Sequence, residues 1–146
     1  MEYGEDRSRD LARAYHLYVS THRLIVMGEL YAFLATTAAP RFYVSETRAC
    51  QVVSAMIDGR KDACQGMRRQ KREMFKEIHR RAMAIAEDEP DMPFRDIIRK
   101  VIRQQAPTFY MSVASVKACL CRMRKEWREK GYYRIPASLR GHNPAQ

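Results

Sequence analysis

The sequence predicts an all-α protein made of two tandem, related three-helix units packed as one compact molecule. Three observations predict it. Apolar residues recur at intervals of three and four along most of the chain, the spacing that lines one face of a helix. Prolines and glycines fall between these stretches. The chain also matches itself when displaced by 67 residues, which lays Leu30, Tyr31, Leu34, Val53 and Met56 on Ile97, Ile98, Val101, Leu120 and Met123. The centre of that match is ungapped, with Ala39-Pro40 and Phe42-Tyr43-Val44-Ser45 falling on Ala106-Pro107 and Phe109-Tyr110-Met111-Ser112. Two copies of one unit explain this register; two unrelated helix pairs that share turn chemistry are the alternative.

The elements follow in order. Leu11, Ala14, Tyr15 and Tyr18 mark a first helix that starts after Asp6 or Ser8. Leu24, Met27, Tyr31 and Leu34 form the stripe of a second. Ser45 caps a third over about residues 46–58, because its hydroxyl can accept from a free amide of the first turn. Glu46 suits the positive end of that helix, Ala49, Val52, Val53, Met56 and Ile57 line it, and Gly59 ends it. In the second unit Met74, Phe75, Ile78, Ala82 and Ile85 mark the first helix. The stretch from Glu87 to Pro93 is a loop, since Pro90 and Pro93 break any helix. Ile97, Ile98, Val101 and Ile102 mark the next helix; Ser112 caps the last, lined by Val113, Val116, Leu120, Met123 and Trp127 and ended by Gly131. The units are thus residues 1–59 and 70–131, joined by a basic linker at 60–69 and followed by an extended tail at 132–146 that Tyr132, Tyr133 and Ile135 tack down.

Pro40 and Pro107 stop the helices before them, and the β-prone triplets that follow run extended until Ser45 and Ser112. Side chains then alternate, so Phe42 and Phe109 point inward while Tyr43 and Tyr110, each with a hydroxyl to satisfy, point out.

The formal charge of +10 comes from 27 Lys and Arg against 17 Asp and Glu, and it is unevenly placed. Residues 1–58 are nearly neutral at −1, residues 59–81 carry +6, residues 82–96 carry −4 and residues 97–146 carry +9. The first basic stretch holds Arg60, Lys61, Arg68, Arg69, Lys71, Arg72, Lys76, Arg80 and Arg81; the second centres on Lys117, Arg122, Arg124, Lys125, Arg128 and Lys130. Such density attracts polyanions by counterion release, and nucleic acid is the commonest polyanion in cells. A solvated helix face that only keeps the protein soluble is the plainer reading, and the scarcity of acid in both stretches weighs against it. Lys117, Arg124 and Arg128, at i, i+7 and i+11, share a face that the spacing sets roughly opposite the apolar stripe. The matching helix of the first unit offers Thr47, Arg48, Gln51 and Ser54, side chains able to read base edges. The expected contact set is therefore Arg48, Gln51, Arg60, Lys61, Arg68, Arg69, Arg72, Lys117, Arg124, Lys125 and Arg128.

The plan resembles the helix-turn-helix class of DNA-binding modules over Leu30 to Met56 and again over Ile97 to Met123. That resemblance implies a non-enzymatic DNA-binding protein with a regulatory or accessory role. It departs from the motif in its turn, since Ala39 to Val44 is longer than three or four residues and holds no glycine. The expected partner is nucleic acid, duplex DNA favoured, with a homo-oligomer left open. Binding of RNA or single strands, with Tyr43, Tyr110, Tyr132 and Tyr133 stacking on bases, is one alternative; a helical assembly component of a virion or mobile element is the other.

Other classes find little support. The 146 residues are too few for a TIM barrel or a full dinucleotide-binding enzyme. No apolar run reaches the length of a membrane-spanning helix, and the charged start, MEYGEDRSRD, differs from a secretory leader, so a cytoplasmic protein is expected. Cys50, Cys64, Cys119 and Cys121 match neither a zinc-ligand spacing nor a disulfide framework and read as reduced thiols. His16, His22, His79 and His142 form no HExxH or HxxxH pattern. The acidic loop lacks the alternation and central glycine of a calcium loop, and no phosphate-cradling glycine loop or nucleophile elbow occurs. No metal, no cofactor and no enzymatic activity are expected.

Overall fold

The structure is a computed structural model that describes residues 3–131. Within them lie six helices, α1 (Gly4–Thr21), α2 (Met27–Thr36), α3 (Glu46–Ile57), α4 (Arg69–Asp88), α5 (Phe94–Ile102) and α6 (Val113–Glu129). α5 and α6 begin 67 residues after α2 and α3. The expected tail, 132–146, lies outside the described residues.

Local chemistry sets most boundaries. Ser45 and Ser112 take extended backbone and accept from the amides of Arg48 and Ser115, both at 3.1 Å. Gly59 and Gly131 adopt left-handed backbone at φ 73° and 70° just past α3 and α6, where a side chain would be strained. α4 runs to Asp88, two residues into the expected loop, and stops where Glu89 meets Pro90, because a residue before proline is driven out of helical backbone. Pro93 precedes α5, its missing amide being one that a helix start leaves unpaired anyway.

Three expectations are corrected at helix ends. α1 starts at Gly4 with no side-chain cap, so Asp6 and Ser8 lie inside it. α2 starts at Met27, which leaves Leu24 80% exposed outside the core. His22 accounts for the gap: its backbone is extended, its ring stacks on Tyr18 at 3.8 Å, and its Nδ1 meets the Tyr18 carbonyl at 2.8 Å. Ile57 and Val113, at the last and first positions of their helices, are also exposed.

The packing order departs from the sequence order. α3 packs on α4 and α5, and α6 packs on α1 and α2, while α1–α2 and α4–α5 are paired within each half. Each third helix therefore leaves the pair that precedes it and closes the core of the other half. The extended segments cause this. Ala39 and Ala106 form a reciprocal antiparallel bridge, and the Phe42 amide donates to the Ile102 carbonyl at 3.0 Å, so the chain crosses to the opposite half before α3 begins. Phe42 stacks on Tyr110 and Tyr43 on Phe109, with ring centres 6.1 and 5.9 Å apart. α2 and α3 consequently do not pack on each other, and the closed helix pair of a helix-turn-helix is absent.

The crossing also corrects the alternation rule. Phe42 and Phe109 are buried as expected, but Tyr43 is only 7% exposed. Its hydroxyl donates to Asp10 Oδ2 at 2.7 Å, which satisfies the polar atom inside the protein. Tyr110 is half-buried and holds φ at 54°, a left-handed conformation uncommon for a bulky residue.

α3 and α5 are clasped at the surface. Glu46 accepts from Arg95 Nε at 2.6 Å and from Arg99 Nε and Nη2 at 3.0 Å each. These hydrogen bonds, Arg99 foremost, hold the Glu46 carboxyl down at about 2.

Candidate nucleic-acid interface

The structure divides the expected contact residues into four groups, three of them around α3 and the start of α4 and the fourth on α6. Arg48 and Gln51 stand exposed on α3. Arg60 and Lys61 lie exposed in the turns after α3, with Arg60 Nε 3.4 Å from Asp62. Arg68 caps the backbone start of α4, and Arg69 and Arg72 follow in its first turn, all three exposed.

On α6 the expected face is only partly presented. Lys117, Lys125 and Arg128 are exposed, but Arg124 is half-buried and its Nε is enclosed without a hydrogen-bond partner. Arg124 is four residues from buried Leu120, about 40° around the helix, so it sits at the rim of the packed face. There it meets α2: burial and Cys121 push the Tyr31 hydroxyl up, and the Arg124 charge draws it partly back. The outer face of α6 mixes signs, with Lys125 paired to Glu129 at 4.0 Å and Lys130 to Glu126 at 2.6 Å.

α4 is different. Arg68, Arg72, Lys76 and Arg80 recur every four residues on exposed positions, a row about 18 Å long at 1.5 Å per residue. Like charges at this spacing each destabilise a helix by about 0.2–0.5 kcal/mol. The row begins at the positive end of the helix dipole, and no acid occupies the first turn to offset it. Arg80 is held by Glu77 at 2.5 Å, and alongside the row Arg69 meets Glu73 at 3.1 Å; Arg68, Arg72 and Lys76 have no ion pair among the described residues.

A cleft of about 530 Å³ opens beside the start of α4. Arg7, Arg48, Arg68 and Lys71 line it together with Tyr110 and Ser115. Spacing along the chain gives no hint of Arg7, which sits in the near-neutral first 58 residues and joins the others only through the fold.

All four cysteines are free, Cys119 buried and Cys121 exposed. Among the described residues no three His, Cys, Asp or Glu side chains converge to hold a metal ion, and no helix is long and apolar enough to cross a membrane. Compared with protein-family models, with curated proteins and with solved structures, the chain matches none.

Proposed function

We propose that the chain is a non-enzymatic nucleic-acid-binding protein that takes duplex DNA by its phosphates, with a regulatory or accessory role. The observation that carries the reading is the row Arg68, Arg72, Lys76 and Arg80, whose mutual repulsion and unfavourable dipole position a polyanion would relieve. Lys61 and the exposed cations of α6, Lys117, Lys125 and Arg128, add to the net positive charge that draws a polyanion to the protein. Because the α2–α3 pair is open, contact is with phosphates along α4, and base reading by Arg48 and Gln51 is not required. The two halves are proposed to be copies of one unit, a reading supported by the 67-residue register and the shared Ser-capped third helices.

Fluorescence anisotropy on a mixed-sequence duplex at low and moderate salt tests this. The expected outcome is a log–log salt slope of about −3, from about 0.9 per phosphate contact, flattened by about 2 in Arg72→Ala with Lys76→Ala. A salt-independent affinity, or no loss in the double variant, overturns it. Equal or better binding of single strands moves the reading to the single-stranded class.

The assembly reading draws on a separate observation. Leu17, Leu24, Val26 and Phe33 are exposed around the α1–α2 junction, beside an apolar pocket of about 230 Å³. Light scattering in high salt distinguishes it, since oligomers held by this face persist when charge is screened.

A further inference from the structure

We propose that the cleft between the N-terminal turns of α3, α4 and α6 is a binding site for a phosphate group carried on a small planar body, with a nucleoside diphosphate as the fitting class. Three independent observations converge there. Four cations line it, Arg7 from α1, Arg48 from α3, and Arg68 and Lys71 from the start of α4, and no carboxylate does. None of the four is in an ion pair among the described residues, although Arg9, Arg13, Arg60, Arg69, Arg80, Arg81, Arg95 and Arg99 all are. Arg7, moreover, keeps its enclosed Nε without a hydrogen-bond partner.

Part of the lining is apolar, with Phe109, Met111, Met67 and Met74 beside the half-buried ring of Tyr110. Tyr110 is the residue whose backbone is forced to φ 54°, which is strain located at the cleft wall. The volume, about 530 Å³, exceeds what an isolated phosphate fills and falls in the range of small-molecule sites, about 300–1,000 Å³. Cations together with aromatic and methionine side chains in one lining suit a charged phosphate joined to a flat base. Amide groups at the starts of α4 and α6 add positive potential. Carboxylates stand near the cleft without lining it: the Tyr43 hydroxyl occupies Asp10 Oδ2 at 2.7 Å, Asp6 is within charge range of Tyr43, and Glu73 and Glu77 are within charge range of Tyr110.

The cleft shares Arg68 with the α4 row, and the two readings are told apart by substitutions confined to one of them, Arg48 and Lys71 in the cleft and Arg72 and Lys76 in the row. Calorimetric titration of the full chain with ADP, pyrophosphate and adenosine tests it. ADP and pyrophosphate are expected to bind and adenosine not to bind. Arg48→Gln and Lys71→Gln, both at exposed positions, each weaken ADP binding about tenfold, while Arg72→Ala with Lys76→Ala leaves it within about twofold. A single-stranded hexamer with and without a 5′-phosphate identifies the source: phosphate-dependent binding lost in Arg48→Gln assigns the group to a strand end, and binding of ADP alone assigns it to a free nucleotide. No heat with ADP, pyrophosphate or the phosphorylated hexamer, adenosine binding as well as ADP, or equal losses in the cleft and row variants overturns the proposal.

Discussion

The amide of Ala39 donates to the carbonyl of Ala106 at 3.0 Å, and the amide of Ala106 donates back to the carbonyl of Ala39 at 2.8 Å. Both residues are buried, and they occupy matching positions 67 residues apart. The stacking around them is reciprocal too, Phe42 on Tyr110 and Phe109 on Tyr43. Residue i meeting j while j's counterpart meets i's counterpart is the pattern of an isologous contact, here inside one chain. The same reciprocity extends outward, because α3 on α4 and α5 mirrors α6 on α1 and α2.

Exchange of the third helices makes each half dependent on the other. A fragment of residues 1–66 retains α1, α2 and α3 but loses the helices on which α3 packs, so its apolar faces stay uncovered. Neither it nor a fragment of residues 67–146 is expected to unfold cooperatively alone, and mixing the two restores one sigmoidal transition. Circular dichroism on the separate and mixed fragments checks this. Two independent cooperative transitions in isolation count against the crossed packing.

Phe42 lies at the centre of the crossing, fully buried between Tyr110 and the guanidinium of Arg81, which sits 5.0 Å from its ring centre. Phe42→Ala removes that packing and leaves a cavity, costing about 3–5 kcal/mol. A domain of this kind has about 5–15 kcal/mol in all. Urea unfolding is expected to show a large fall in midpoint with little change in slope. Phe33→Ala, at a ring 46% exposed, is the control and stays within about 1 kcal/mol.

Tyr43 tests whether the inward tyrosine depends on its hydroxyl. Tyr43→Phe leaves Oδ2 of the largely covered Asp10 carboxylate without its donor, while Arg13 stays 3.5 Å from Oδ1, a loss of about 1–3 kcal/mol at neutral pH. Burial first, then the bond to Asp10, pushes the Tyr43 hydroxyl well above its ordinary value. A raised acid is favoured neutral in the folded state, so its contribution is intact below the unfolded value near about 10 and is lost as pH rises beyond it. The difference between wild type and Tyr43→Phe in chemical unfolding should therefore narrow in strongly alkaline solution.

Much of this fold was legible because its signals are local. The hydroxyls of Ser45 and Ser112, the left-handed glycines Gly59 and Gly131, and the prolines at 90 and 93 each act within a few residues, and the bounds of α3 and α6, the end of α4 and the start of α5 follow from them. The crossing was not legible, because helical periodicity says which face of α3 is buried and nothing about which helix buries it. The misplaced residues share that cause. Spacing points Tyr43 outward because its partner Asp10 is 33 residues away, and it points Arg124 outward because the packing of α2 on α6 is a tertiary contact. Arg7 carries no local signal for the same reason, its company in the cleft being entirely tertiary.

The clasp of Glu46 by Arg95 and Arg99 joins α3 to the other half at the surface, and its counterpart position in α6 is the exposed Val113. Because the folded carboxyl is held at about 2 against an ordinary 4.5, its contribution is present above about pH 5 and fades as the pH falls from 4.5 toward 2. Glu46→Gln should therefore lower Tm by a few degrees at neutral pH and by nothing measurable at pH 2. Glu77 and Glu126 are also held down, by Arg80 and by Lys130, but both remain in the variant and cancel in the comparison. High salt should shrink the neutral-pH difference, since the pairs are open to solvent. A difference that stays constant from pH 7 to pH 2 means that the change acts through packing of the α3 start and not through the charge pairs.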